Sequence, residues 1–394
     1  MSSDPIVITS AVRTPMGNLL GELKDFTCAQ LGSAAIAAAL ERSHLQPQQI
    51  PEVIMGCVLM AGQGQAPARQ AALGAGLLQS TGATTVNKMC GSGMKATMFA
   101  HDMLLANVHD IMIAGGMESM SNAPYLLNKA RSGYRLGHGQ LIDHMFLDGL
   151  EDAYDRGKLM GAFAEATAKH FGFSREAQDE FAITSLKRAQ QTTQDGIFNK
   201  EITPLTLRNK EGEKIIAQDE GPLKARLDKI PQLKPAFSAD GTVTAANSSS
   251  ISDGAAALIL MRESHANKLG VQPLARIIGH ASHAQEPAWF TTAPVFAMQK
   301  LLEKIKWHKD DVDLYEINEA FAVVTMAAMH EMKLPHEKVN IHGGACALGH
   351  PIGASGARIM VTLLNALQQH GLKRGVASLC IGGGEATAMA VELI

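Results

Sequence analysis

The sequence predicts an α/β protein made of two similar halves, with a third region inserted into the first. Three observations carry this. Short β-branched runs alternate with Ala-rich stretches of helical period; a more charged segment interrupts the alternation; and two glycine-ended strand patterns occur twice in the same order. Residues 6–9 (IVIT) read as a strand. Residues 29–42 read as a helix with Leu31, Ala35 and Leu40 on one side. Residues 53–56, 84–87 and 111–114 read as further strands. From about 119 to 245 the periods are broken by turns such as Asp195-Gly196 and Glu220-Gly221-Pro222. Thr242-Val243-Thr244 then leads into Ser252-Asp253-Gly254-Ala255 and an apolar strand over 257–261. The expected division is 1–118, an insertion at 119–245, a return segment at 246–271, and a second half at 272–394. The echo pairs VNKMCG (86–91) with VNIHGG (339–344), and IMIAGG (111–116) with ASLCIGG (377–383).

Composition narrows the class. The 394 residues are 46% hydrophobic and 19% charged, which suits a soluble globular protein. A formal net charge of −3 gives no electrostatic case for nucleic acid or an anionic membrane. No apolar run approaches the ~20 residues that span a bilayer. The start, MSSDPIVITSAVRTP, lacks secretory and mitochondrial signatures, and the end, AVELI, is not a peroxisomal address. A cytoplasmic protein without a membrane partner is expected. Cys28, Cys57, Cys90, Cys346 and Cys380 are odd in number and widely spaced, with no C-x-x-C pair. Free thiols in a reducing compartment follow, and no zinc ribbon.

Four segments carry candidate chemistry. In VNKMCGSGMKA (86–96) a strand ends at Asn87 and Cys90 sits where a helix should begin. A helix N-terminus favours a thiolate, and Gly91 and Gly93 permit close approach to the sulfur. The same segment matches G-x-G-x-x-A, but Asp110 precedes the next strand instead of ending it, so dinucleotide binding is disfavoured. In GGACALGHPIGASGAR (343–358) a rigid Gly-His-Pro turn holds His350 as a candidate base. In LCIGGGEATA (379–388) Cys380 ends a strand before three glycines, whose N–H groups could point at one spot as an oxyanion hole requires, but the segment alone favours a tight turn after a buried strand with a buried thiol. In YEINEAF (315–321) Asn318 and Glu319 interrupt an apolar run, as helix caps or as site residues.

Taken together, VNKMCGSG, NEAF, GHPIGASG and CIGGG resemble the thiolase family in order and spacing, as do AGGMESMSNAP (114–124), LKPAF (233–237) and NSSSISDGAAA (247–257). The resemblance spans about residues 5–392. It implies a thiolase-like fold of two duplicated halves with an inserted loop domain that binds coenzyme A, in dimers or tetramers. It implies Cys90 as acyl-accepting nucleophile, His350 as its base and Cys380 as the acid/base for the α-proton. Asn318 would hold a water beside His350 in one oxyanion hole, and the N–H groups of Cys90 and Gly382 would form another. Met160 and Ser249 match pantetheine contacts, Lys224 and Arg226 are nearby candidates for the nucleotide, and Phe290, Phe321 and Met160 are expected at the end of the acyl pocket. The chemistry requires no metal and no bound cofactor, coenzyme A being substrate and product. The implied reaction is condensation of two acetyl-CoA to acetoacetyl-CoA, and its reverse. A broader-chain 3-ketoacyl-CoA thiolase is the alternative, and a non-catalytic lipid carrier on the same fold a more distant one. Three departures bear on this: Leu159 replaces a histidine, His342 an asparagine, and 289–293 (WFTTA) is bulkier than the usual Met-Gly.

Overall fold

The computed structural model describes residues 4–209 and 212–394. In the first half, strands of the main sheet alternate with helices. They are β1 (Ile6–Arg13), α1 (Cys28–Ser43), β2 (Glu52–Gly56), α2 (Pro67–Gly74), β3 (Gly82–Val86), α3 (Ser92–Leu105) and β4 (Ile111–Ser119). The intervening region holds two small hairpins, Tyr125–Leu127 with Leu141–Asp143 and Leu205–Asn209 with Gly212–Ile216. Between them lie α4 (Met160–Phe171) and α5 (Arg175–Gln194). The chain then returns as β5 (Ser252–Arg262). The second half runs β6 (Ala275–Ala284), α6 (Ala293–Ile305), β7 (Leu314–Ile317), α7 (Ala322–Met332), α8 (Ile352–His370), β8 (Arg374–Ile381) and β9 (Glu385–Leu393).

The ten-stranded sheet is ordered β7-β8-β9-β6-β1-β5-β4-β2-β3, with the two-residue strand Gly17–Asn18 pairing on β5. Each half has the same plan. β2 is parallel to β3 and β4, while β5 runs antiparallel between β4 and β1. Likewise β7 is parallel to β8, and β9 runs antiparallel between β8 and β6. The counterpart of β3 in the second half is a single parallel bridge, Tyr315 to Val339. The halves meet where β1 and β6 pair, Ile8 against Ala275.

Local sequence accounts for the elements. Helix α1 begins at a capping box of Thr27 and Gln30, buries Leu31, Ala35, Ile36 and Ala39, and stops at His44 in the left-handed region. Helix α8 is buried from Ile352 to Leu367, so its apolar, small-residue surface is core on every side. It crosses α3 almost backbone to backbone: a Cβ on Gly93 would lie 2.8 Å from the Ala357 nitrogen, and one on Gly356 would lie 2.4 Å from the Met94 nitrogen. Only glycine fits there. The crossing sits near the N-termini of both helices, which brings the residues preceding α3 and α8 together. Arg13 fastens the inserted region to β1. Its fully buried guanidinium takes Glu201 at 2.5 Å and Asp219 at 2.6 Å, the pairing a buried charge requires. Among the described residues no helix is long and apolar enough to cross a membrane.

Candidate active site

The segment before α3 makes an abrupt turn. β3 ends at Val86 and α3 begins at Ser92, so Cys90 lies two residues ahead of the helix rather than in it. Met89 has φ 47°, a strained value for an unbranched L-residue. Side chains hold the turn. Asn87 Oδ1 accepts the Met89 N–H at 2.9 Å, and Ser92 Oγ accepts the Lys88 N–H at 2.8 Å and donates to the Met89 carbonyl at 2.6 Å. Lys88 pairs with Glu385 at the start of β9. Burial pushes the Cys90 thiol up to about 11, against the pull of the Gly382 and Cys90 N–H groups, which favour the thiolate.

His350 lies between the short helix Ala345–Leu348 and α8. Its Nδ1 is 2.5 Å from Ser355 Oγ and 3.4 Å from Asn318 Nδ2, while Nε2 is buried with no hydrogen-bond partner among the described residues. Asn318 is itself held: its Oδ1 accepts from Arg358 Nη2 at 3.2 Å, and Arg358 Nη1 donates to Glu316 at 3.0 Å. Burial, then the Arg358 charge, drive the imidazole down to about 3. At neutral pH the site therefore rests as a thiol beside a neutral imidazole.

Cys380 lies at the penultimate position of β8, and Gly383 and Gly384 take φ 92° and 86° to turn the chain into β9. Burial, then the neighbouring Cys90 charge, push the Cys380 thiol well above its ordinary range.

Cys90, His350, Cys380 and Gly382 all line one cavity of about 370 Å³. Met160, Ser249, Phe290 and Phe321 line it too, as do Leu159 and Phe237 from the inserted region. Phe290 is 3% exposed and packs edge-on against Phe163 at 6.3 Å, so it is both core and cavity wall. Asn318 is fully buried behind His350 and is not on the wall. Lys224 and Arg226 are not on it either. They line an adjoining cavity of about 340 Å³ that shares Ala245 and Ser250 with the first. There Lys224 pairs with Glu220 at 2.5 Å and Arg226 with Asp228 at 2.9 Å, and Lys229 joins them on the wall.

Four residues around the site were not singled out from sequence. Ser355, Arg358 and Glu316 hold His350 and Asn318. Glu118, fully buried, accepts N–H groups from Val58, Leu59 and Gly353, and ties the end of β4 to the first turn of α8. Burial pushes its carboxyl up to about 7. The signal was a charged or polar residue inside an otherwise apolar run, as at YEINEAF. His342, which departs from the family pattern, packs on Phe198 and His370 away from the cavity. Asp110 precedes β4 and pairs with Arg262, so the dinucleotide pattern lacks its acidic partner. Two clusters with metal-ligand spacing, Cys28/Cys57/Glu118 and His101/Asp102/His280, lie off the cavity wall.

Comparison with known proteins agrees with this fold. Residues 6–264 match the family model described as Thiolase, N-terminal domain, and residues 271–393 match Thiolase, C-terminal domain. A probable acetyl-CoA acetyltransferase of Dictyostelium discoideum is 47% identical over 99% of this chain and 94% of its own. A probable acetyl-CoA acyltransferase of Staphylococcus aureus is 46% identical over 98% of each. The crystal structure of the Bacillus anthracis acetyl-CoA acetyltransferase superposes with a TM-score of 0.97 at 40% identity, covering 100% of this chain and 99% of that one. With its two-half α/β sheet and a cavity where both halves deliver a cysteine or a histidine, the chain belongs to the thiolase family and is an acyltransferase.

Proposed function

We propose that the protein is an acetyl-CoA C-acetyltransferase, joining two acetyl-CoA into acetoacetyl-CoA and CoA, and running the reverse thiolysis. The convergence of Cys90, Cys380, His350 and the Gly382 N–H on one cavity carries this reading. Cys90 loses its proton to His350 and attacks the thioester carbonyl; the negative charge that develops on the carbonyl oxygen needs aimed donors. CoA leaves as the thiol, taking the proton of Cys380 and leaving it as the thiolate. That thiolate then removes an α-proton from the second acetyl-CoA, and the carbanion attacks the acetyl-Cys90 carbonyl, expelling the Cys90 sulfur, which takes back the proton held by His350. The adjoining cleft with Lys224, Arg226 and Lys229 supports a coenzyme A tail running from Met160 and Ser249 outward. No resident cofactor enters these steps.

The setting fits a cytoplasmic oligomer. β3 is a sheet edge beside the Cys90 turn, and Tyr125, Leu127 and Leu141 are exposed on one hairpin, surfaces that suit association into dimers and tetramers. The relative called an acyltransferase favours the broader-chain 3-ketoacyl-CoA thiolase as second reading. The Phe290 and Phe321 wall supports the short-chain one. Each methylene excluded from an apolar pocket is worth ~1–3 kcal/mol, so thiolysis of 3-ketohexanoyl-CoA should be at least ~100-fold less efficient than that of acetoacetyl-CoA. Phe290→Ala should narrow the gap. Comparable kcat/KM on both substrates would reject the short-chain assignment and leave the broad-range one.

A further inference from the structure

We propose that Ser355 is a positioning residue that accepts the Nδ1 proton of His350 and so leaves Nε2 bare to take the Cys90 proton. The proposal rests on the acyl-cysteine reading of the cavity. Ser355 is fully buried on the first turn of α8, five residues after His350. Its Oγ lies 2.5 Å from His350 Nδ1 and 3.0 Å from the Pro351 carbonyl.

The other neighbour of Nδ1 is Asn318 Nδ2, at 3.4 Å. An amide nitrogen only donates. The amide is kept from turning over because Arg358 donates to its oxygen, and Arg358 is anchored in turn on Glu316. Asn318 therefore presents no acceptor to the ring. Among the described residues Ser355 Oγ is the one group beside Nδ1 that accepts its proton, and its own hydrogen then goes to the Pro351 carbonyl. A neutral imidazole carries one proton, so seating it on Nδ1 bares Nε2. Nε2 is the nitrogen with no other partner among the described residues, on a ring that lines the cavity.

The transfer balances. The Cys90 S–H bond breaks, its proton moves to Nε2, and the sulfur electron pair attacks the thioester. The imidazolium then has both nitrogens protonated and still needs an acceptor at Nδ1, which Ser355 supplies. Without the hydroxyl, the favourable arrangement reverses. Nδ1 becomes the acceptor for Asn318 Nδ2, the proton moves to Nε2, and the ring no longer acts as a base towards Cys90.

The test uses the full-length enzyme, Ser355→Ala and Ser355→Thr, with circular dichroism and thermal melting as folding checks. ¹⁵N shifts of selectively labelled histidine report which nitrogen of His350 is protonated, and rapid-quench mass spectrometry follows acetyl transfer from acetyl-CoA to Cys90. The wild type should show protonated Nδ1. Ser355→Ala should show protonated Nε2 and acylate at least ~100-fold more slowly, the scale of a lost general base, with KM little changed. Ser355→Thr, which keeps the hydroxyl, should recover most of the rate. Should Ser355→Ala fail to fold, the wild-type shifts and the threonine variant still decide. A wild-type ring protonated at Nε2, or normal acylation by Ser355→Ala, overturns the proposal alone. Absence of acetyl on wild-type Cys90 would sink the acyl-cysteine reading and the proposal together.

Discussion

The two halves use one plan to deliver different groups. In the first, β3 ends at Val86 and the nucleophile candidate follows within four residues (90 − 86). In the second, the corresponding strand has shrunk to the Val339 bridge, and His350 arrives eleven residues later (350 − 339), past a glycine turn and a one-turn helix. The asparagines that follow these strand ends have also diverged. Asn87 caps its own turn through the Met89 N–H. Asn340 instead bonds the Ile317 N–H and carbonyl, each at 2.8 Å, in place of the missing strand pairing, and donates to Glu319. Duplication thus preserved where each helix starts, while the connection was free to carry a sulfur in one half and an imidazole in the other.

The strongest test of this division separates the two cysteines. Cys90→Ala should abolish the labile acetyl mass formed with acetyl-CoA. Cys380→Ser should retain that mass and lose condensation by ~10²–10⁴-fold, the usual contribution of an acid–base group. Acetyl found on Cys380, or near-normal condensation by the serine variant, would reverse or cancel the assignment.

The resting protonation state sharpens the comparison next. Burial holds the Cys90 thiol up to about 11 and the His350 imidazole down to about 3, so neither of these two groups is charged at neutral pH. Below its pKa, a thiol gains tenfold in thiolate per pH unit. Alkylation of Cys90 by iodoacetamide should therefore climb ~100-fold between pH 7 and 9. A rate already flat from pH 5 to 9 would mean a preformed thiolate–imidazolium pair.

Much of this was legible in the sequence, for a physical reason. Glycines at 91, 93, 349 and 384 stand where a side chain would press on neighbouring atoms, and with Gly383, which takes a positive φ, they bracket Cys90, His350 and Cys380. The α/β alternation was equally visible, as was the apolar strand read at 257–261, which lies inside β5, because apolar runs record burial. Two kinds of feature were not. Ser355 and Arg358 stand out as polar among the small and apolar residues of 352–361, but their partners are 5 and 40 residues away in the chain, so no local period reveals what they hold. The placement of Cys90 was read as a helix start; the Met89 φ of 47° delays α3 to Ser92. Asn318, expected to hold a water beside His350, lies next to the His350 Nδ1, with its oxygen drawn to Arg358.

A smaller effect is expected where the halves touch. In Gly356→Ala the new methyl would press on the Met94 backbone nitrogen, which no rotamer change relieves. Overpacking of this kind costs about 1–3 kcal/mol, and separating α3 from α8 should also slow acylation of Cys90. Gly371→Ala, at the far end of α8 with φ 62° and open space around it, should destabilise by about 1 kcal/mol and leave acylation unchanged. Equal effects on acylation would show that the crossing does not position the site.

The smallest effect concerns the strained residue itself. Met89 pays a left-handed penalty of ~1–2 kcal/mol, which Met89→Gly would remove. Two terms oppose the gain. Glycine widens the unfolded ensemble by ~0.5–1 kcal/mol, and the thioether is lost from a partly buried contact with the Met120 and Met145 cluster. The net change in unfolding free energy should stay within about 1 kcal/mol of zero. Activity should respond more than stability. The turn keeps the Asn87 and Ser92 bonds, but a glycine at 89 admits conformations that swing the sulfur away from His350 and the Gly382 N–H. Chemical denaturation and the single-turnover rate of Cys90 acetylation, measured on the same preparation, separate the two. A stability change of several kcal/mol would make Met89 a packing residue first. Unchanged stability with a several-fold slower acetylation would assign its strained geometry to aiming the sulfur.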